Sequence, residues 1–493
     1  MKPAASPPDQ QSTPTVLLCS LREDALVEQV AGQDAVNVLT RWGEVRIDEP
    51  GPAVREALRR MAFGPVSLVN VLAGLRIEGG SAFEAQCRLL SGALNRLQGT
   101  VIQTLALTDG EGALLSVVPI SGQARFAVTD IDPGRPLRLS RFATLGSGGD
   151  EAVLESPLAL HRVLLHHGDA LLIAAALARP TTIASLARTL GLPDQVVAAV
   201  TAHLVATGMV LAGERDRLGG TRFAEDSDPD LLAWADHDLL FHTRSRLGRH
   251  DGAYGAVFPQ GHRPPYEPAV KPLPPGKRFT LPRPGAPDPA EPTLTELLES
   301  RRTPVAPGGA AVTVEQLSEL LHRAARVREV HVGGQDESVC STTDRPYPST
   351  GDLYELELYL VIGNCSGLPR GIYHYDPQGH GLTLINTDED ALAELLDAAM
   401  IASGLRQEPP VLLTVTARFG RLSWVYGGMA YATTLKHVGV LLQTVNLVAT
   451  AMRLTPQAVA FGDSDASARA FGLDWRRESS VGEMVIGPSS SGT

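Results

Sequence analysis

Cysteine is scarce in this chain: Cys19, Cys87, Cys340 and Cys365 stand far apart, with no CxxC pair and no Cys/His spacing that suits zinc or a disulfide framework. They read as reduced, mostly structural thiols, and no metal site is expected. Basic charge is also short, 43 Lys and Arg against 55 Asp and Glu for a net charge of -12. That deficit excludes a chain that wraps nucleic acid or lies on an anionic membrane, since both need clustered cations. Long apolar runs are missing as well. The stretch nearest membrane length, residues 434–452, contains Lys436, His437, Gln443 and Asn446, which are costly in lipid, so it reads as a buried helix. The opening MKPAASPPDQQSTP has no apolar core for a secretory signal or anchor, and a cytoplasmic protein is expected. Aromatics make up only 5%, but hydrophobic residues reach 43% and charged residues 20%, the composition of a globular chain with sizeable cores.

At 493 residues the chain exceeds a single core and suggests about three units. Composition changes at Pro259, where residues 259–292 hold twelve of the 36 prolines. So many fixed φ angles and missing N–H donors exclude helix and central strand, leaving an extended, semi-rigid connector. Before it, residues 169–216 hold three short apolar-periodic segments, broken at Arg179-Pro180 and Gly191-Leu192-Pro193 and closed by Gly208 before a strand-like MVLAG. This is a winged-helix pattern. Its third helix carries no Lys or Arg, so peptide or protein recognition is expected in place of DNA. An earlier stretch with helical period, between strand-like VNVLTRWGEVRI and VIQTLALTD, suggests a second, divergent unit of the same kind; both could also be mere spacers. The expected organisation is a tail at 1–14, winged-helix units at 15–110 and 111–255, a linker at 256–292 and a C-terminal domain at 293–488.

In that domain Thr293 and Glu296, then Thr313 and Gln316, have capping-box spacing before amphipathic helices. LYELELYLVIG alternates over residues 353–362, GIYHYDPQGHGLTLI reads as two strands around a Pro/Gly turn, and PPVLLTVTARF supplies another strand. One long, mostly apolar helix covers 429–453. The pattern predicts an α+β domain.

Three segments carry a family resemblance: SRRT at 300–303, RPYPSTGDLYELELYLV at 345–361 and MAYATTLKHVGVLLQTVNLVATAMRL at 429–454, followed by GDSDASARAFGLD and SVGEMVIG. Together they resemble the SagB-type peptide dehydrogenases, the McbC-like azoline oxidases of the nitroreductase superfamily, over residues 294–487. The resemblance implies a nitroreductase-like FMN domain, a homodimer with active sites at the subunit interface, and a leader-recognising, peptide-clamp-like region in the preceding winged-helix units. The reaction it implies removes two hydrogens from the Cα–Cβ bond of a thiazoline or oxazoline. A base takes the Cα proton and flavin takes the Cβ hydride, with the cofactor carrying the redox chemistry.

The residues fit that implication on physical grounds. The guanidinium forks of Arg301 and Arg302, followed by Thr303, suit the FMN phosphate, although a solvated helix terminus would use the same arginines. Pro348 fixes a turn, Ser349 can hydrogen-bond the flavin ring and Gly351 permits close approach; an ordinary turn before a strand is the alternative. Gln443, Phe461 and Gly462 match positions where the family touches flavin or closes its pocket. The catalytic candidate is Tyr426. Here the chain departs from the pattern, reading Trp424-Val425-Tyr426 where the family carries a Lys-Tyr pair, so no adjacent ammonium favours the phenolate. Lys436 and His437 could compensate or could be satisfied interface residues. Two further departures, Pro304-Val305 after SRRT and Ala460-Phe461-Gly462 in place of a glycine triplet, lower the expected flavin affinity.

The expected activity is therefore FMN-dependent azoline oxidation on a precursor peptide, in complex with a cyclodehydratase. The alternative, motivated by Val425, is a catalytically impaired dehydrogenase-like subunit that binds peptide or partner. A stand-alone nitro or quinone reductase would leave the N-terminal half without a task.

Overall fold

The computed structural model describes residues 15–75, 80–108, 110, 112–149, 151–215, 220–259, 261, 267–285, 290–299, 311–332 and 340–488. The chain is α+β and divides into two compact units, Met1–Gly252 and Ala253–Thr493. Among the described residues no helix is long and apolar enough to cross a membrane, and all four cysteines are free thiols.

The first unit holds a six-stranded antiparallel sheet whose neighbours run Thr15–Leu21, Val101–Leu107, Ala113–Pro119, His161–Leu165, Ala152–Glu155 and Thr144–Ser147. The boundary expected at 110/111 falls inside this sheet. Val101–Leu107 and Ala113–Pro119 form one hairpin, with Thr104 opposite Ser116, and cannot belong to separate cores. A second, three-stranded sheet, Leu26–Gln29, Ala35–Thr40 and Gly43–Asp48, precedes helices Gly51–Met61, Leu68–Ala73 and Gly80–Arg96, and Val36, Val38, Ile47, Val54, Leu58 and Leu90 pack between them. The segment with winged-helix spacing forms helices Gly168–Ala176, Ile183–Leu190 and Asp194–Ala206, beside a two-stranded ribbon of Leu137–Leu139 and Val210–Ala212. Thr182 caps the second helix by accepting from the Ser185 amide, and Gly191 ends it at φ 69°, a left-handed position that glycine takes without strain.

The second unit is built on a seven-stranded antiparallel sheet ordered Lys277–Thr280, Gly381–Asn386, Gly371–Asp376, Leu356–Ile362, Val411–Arg418, Glu478–Gly487 and Thr455–Val459. The alternating LELYLVI stretch forms the strand Leu356–Ile362, and every residue of it is buried. Helices on both faces explain this. Leu356, Leu358, Leu360 and Ile362 face helices Val314–Ala325 and Ala430–Ala451 through Leu317, Leu321, Val438 and Leu441. Tyr359 and Val361 face helices Glu389–Ser403 and Ser464–Phe471 through Leu392, Leu396 and Phe471. Thr313 and Gln316 form the capping box their spacing predicts. A bulge at Val481 leaves Gly482 against the long helix, where a Cβ would lie 2.6 Å from Val438 Cγ1, so glycine is what permits the approach.

The proline-rich segment differs from a simple connector. Lys277–Thr280 pairs with Gly381–Asn386 as an edge strand, the one sheet position proline-flanked chain tolerates, and Ala269 and Leu281 are buried.

Candidate active site

Antiparallel register gathers several predicted site residues at one end of the seven-stranded sheet. Leu356 lies opposite Ala417, and Arg418 opposite Glu478. The turn before Leu356, the segment after Arg418 and the residues before Glu478 therefore leave the sheet together. Strand Thr455–Val459 runs in the same direction but ends with Val459 opposite Glu483, short of that end, and Phe461 and Gly462 follow there.

The turn that enters the sheet is under backbone strain. Gly351, Asp352 and Tyr354 have φ of 63°, 52° and 43°, and only the first is a glycine. Local bonds hold it: the Tyr354 amide donates to Ser349 Oγ at 3.2 Å, and the Tyr354 hydroxyl donates to the Tyr347 carbonyl at 2.7 Å. Pro348 is exposed, Ser349 half-buried. A Cβ added to Gly351 would lie 3.2 Å from Tyr426 Oη. The structure thus brings Ser349, Gly351 and Tyr426 together.

Tyr426 follows the short helix Phe419–Ser423 and donates its amide to the Leu422 carbonyl at 2.7 Å. The proline-rich segment straps this region: the amides of Val257 and Phe258 donate to the Val425 carbonyl at 2.9 and 3.0 Å, and Ala256 bridges Tyr426. Val425 is only 7% exposed and packs with Leu353, Leu422, Trp424 and Ala430. A lysine at this position would have to desolvate its ammonium. Burial pushes the Tyr426 phenol above its usual value, and the neighbouring Cys340 thiol pushes the same way. The group is a protonated phenol at neutral pH.

Buried charges frame the same sheet end. Arg421 donates to the carbonyls of Leu353, at 2.9 and 2.6 Å, of Glu267 at 2.8 Å and of Ser341 at 2.9 Å; burial, then the nearby Arg418, lowers its pKa to about 10. Arg418 donates to the carbonyls of Pro268 and Ala269 at 2.7 and 3.2 Å, and its Nε lies 3.0 Å from Glu357. Burial alone would raise the Glu357 carboxyl, but Arg418, His374 and Arg345 outweigh it and hold the group at about 2. A cavity of about 330 Å3 opens here, lined in part by Glu267, Lys271, Arg418, Arg477 and Glu478. Lys271 is committed to Glu478 and Tyr359, whereas Arg477 is exposed and suited to an anionic group. Sequence reasoning missed Cys340, Arg421 and this cavity. Only the Arg476-Arg477 pair signals it, because Glu267 and Lys271 lie in what reads as linker.

The remaining candidates scatter. Gln443 is exposed on the long helix and Phe461 is 68% exposed. A Cβ on Gly462 would lie 2.4 Å from the Glu483 carboxyl carbon. Lys436 is exposed, and His437 is buried with both ring nitrogens engaged, Nδ1 with Glu355 and Nε2 with Thr350. It is not a free base. Arg301, Arg302 and Thr303 lie outside the described residues. Among the described residues no group of three or more His, Cys, Asp or Glu side chains could hold a metal.

Comparison with known proteins matches residues 308–487 to the nitroreductase family and residues 137–251 to the cyanobactin oxidase ThcOx. A Methanocaldococcus jannaschii protein named as a nitroreductase is 31% identical over 180 residues, 36% of this chain and 84% of the relative. Among solved structures, a chain of the Escherichia coli microcin synthetase McbBCD complex with truncated pro-MccB17 bound is 21% identical, covering 54% of this chain and 95% of that one with a TM-score of 0.33. A nitroreductase of Exiguobacterium sibiricum in complex with FMN is 13% identical, covering 41% of this chain and 91% of that one with a TM-score of 0.29.

Proposed function

Because the chain belongs to the nitroreductase family, and is thereby an oxidoreductase, we propose that it is an FMN-dependent dehydrogenase that oxidises thiazoline or oxazoline rings of a ribosomally made precursor peptide to thiazoles or oxazoles. The match of residues 137–251 to a cyanobactin oxidase supports a peptide substrate. The observation that carries the reading is the pairing of Tyr426 Oη with the strained turn at Gly351, a proton-transfer group beside a surface kept clear of a side chain.

The residues present fit the cofactor. Gly351 lets the Tyr426 hydroxyl come close to the turn, and Ser349 on the same turn can hydrogen-bond a flavin ring. Arg301, Arg302 and Thr303, with Arg477, would hold the phosphate; Gln443, Phe461 and Gly462 stand apart from Ser349, Gly351 and Tyr426, and only the family resemblance proposes them as further flavin contacts. FMN, when bound, supplies the acceptor for the hydride. The chain's own part is to orient the azoline and to take its Cα proton at Tyr426 Oη in its phenolate form, the minor form at neutral pH. The raised phenol makes Tyr426 a scarce base at neutral pH.

The first unit is proposed to recognise the leader of the peptide through winged-helix-like elements. Helix Asp194–Ala206 has no Lys or Arg for a nucleic-acid backbone. A cyclodehydratase is the proposed source of the azolines. A homodimer is proposed from the long helix, whose Tyr431 and Leu435 are exposed. A second reading, an impaired subunit that binds peptide without turnover, draws on Val425, whose apolar packing leaves Tyr426 without an adjacent ammonium.

The test uses the purified full chain, titrated with FMN and followed near ~450 nm, the usual flavin band, then given an azoline peptide under air. The expected result is flavin uptake and loss of two hydrogens per ring by mass. Flavin uptake with an unchanged peptide would favour the second reading.

A further inference from the structure

Glu355 and His437 lie behind the turn that carries Ser349 and Gly351, both fully or nearly fully buried. His437 Nδ1 is 2.8 Å from Glu355 Oε1, and its Nε2 is 2.9 Å from the Thr350 amide and 3.0 Å from Thr350 Oγ1. A backbone amide can only donate, so Nε2 is the acceptor. The proton therefore sits on Nδ1 and is donated to the carboxylate. Both faces of the imidazole are assigned by their partners, and the ring cannot turn without losing one of them.

The held group matters because the turn's local bonds from Tyr354 do not reach the Thr350 amide. Asp352 and Tyr354 hold left-handed φ values that L-residues disfavour. Contacts from other elements reach the turn on both sides. Arg421 holds the Leu353 carbonyl, and His437 holds the Thr350 amide. The peptide joining Ser349 to Thr350 is planar, so pinning the Thr350 N–H also fixes the direction of the Ser349 carbonyl. Glu355 is itself anchored, its own carbonyl accepting from the Arg418 amide at 2.9 Å. The chain of support runs from the sheet, through a carboxylate and an imidazole, to the surface beside Tyr426.

We propose that Glu355 and His437 form a positioning pair that sets the backbone of the Ser349–Gly351 turn for the ring of the bound cofactor. Neither touches the reacting atoms. This rests on the proposed FMN site.

Two substitutions separate the contacts. Asn at 437 can reach Glu355 from the Nδ1 position but falls short of Thr350, whereas Gln can carry an amide oxygen to the Nε2 position. The full chain and its His437→Asn and His437→Gln variants are compared for FMN affinity, for the visible spectrum of bound FMN and for hydrogen exchange of the Thr350 amide without cofactor. One hydrogen bond is worth up to about 1.5 kcal/mol, so His437→Asn is expected to weaken FMN binding by on the order of tenfold. It should also shift the flavin spectrum and speed Thr350 exchange, and His437→Gln should recover most of each. Wild-type FMN affinity and spectrum in His437→Asn would overturn the proposal, as would equal losses in both variants. If the wild-type chain takes up no FMN, the cofactor reading fails. The exchange data then judge the contact alone, and unchanged Thr350 protection in His437→Asn overturns it.

Discussion

Substituting Gly351 by alanine probes the joint between turn and phenol. The residue sits at φ 63°, and its Cβ would lie 3.2 Å from Tyr426 Oη. The backbone share of the cost is roughly 1–2 kcal/mol for an L-residue in the left-handed region. The contact adds to it, because the hydroxyl must give by a few tenths of an ångström. For a unit of this size about 1 kcal/mol shifts a melting temperature by roughly 2–4 °C, so the backbone share alone should lower the melting of the second unit by about 2–8 °C. Differential scanning calorimetry reads this on the full chain, with the transitions of the two units resolved separately. The decisive comparison is a cycle with Tyr426→Phe, which removes the contacted oxygen and keeps the ring. In that background Gly351→Ala should retain its backbone cost and lose the contact, giving a coupling on the order of 0.5–1 kcal/mol. Additivity within about 0.5 kcal/mol would refute the view that the two residues share one site.

Three further outcomes are expected. Tyr426→Phe should lower azoline oxidation by roughly 10²- to 10⁴-fold while FMN binding persists, and wild-type turnover should keep rising with pH toward the phenol range because burial raises this group; a plateau at neutral pH would assign the proton to another base. Arg421→Met leaves the carbonyls of Leu353, Glu267 and Ser341 without their donor, so chemical denaturation should report a loss of about 3 kcal/mol or more in the second unit; a loss below about 1 kcal/mol would contradict the anchoring role. His161 is 4% exposed, and burial lowers its pKa to about 4, so the unfolded chain binds the extra proton between pH 6.5 and 4 and the first unit loses about 3 kcal/mol as pH falls through that window; His161→Phe should flatten the slope, and an unchanged slope would exclude His161 as its source.

How far the sequence could be read depended on whether the signal was local. Capping at Thr313, the glycine stop at Gly191 and the hairpin strands around His380 are set by residues a few positions apart, and they formed as expected. The boundary at 110/111 failed because sheet membership there depends on pairing between Val101–Leu107 and Ala113–Pro119, which no helical period reports. Alternation in LELYLVI marked a strand but not the partners of Glu357 and Tyr359. The structure gives Glu357 an arginine and buries Tyr359 under Phe471, stacked at 4.5 Å. In the site, the turn and Tyr426 were reached through the family resemblance of their segments. Their supports were not, since Glu355 and His437 are 82 residues apart, and the supporting residues at 256–258 and 267–269 lie in what reads as linker.

The distribution of buried charge is itself an argument about where the chemistry lies. Taking a charge out of water costs several kcal/mol even after relaxation, and a core of aliphatic side chains would avoid that cost. This sheet buries Glu355, Glu357, Arg418, Arg421 and Glu478 around the two points where Leu356 and Arg418 enter and leave it. The arrangement does more than neutralise charge. Arg421 spends its donors on carbonyls from the turn, the strap and the segment beside Cys340, so one guanidinium fixes three chain segments that meet at Tyr426. Glu355 and His437 fix the turn from the opposite side. Fold stability alone gives no reason to accept such costs at one sheet end. A requirement to hold Ser349, Gly351 and Tyr426 in one geometry does give a reason, because a proton acceptor displaced by about 1 Å can lose on the order of a hundredfold in rate.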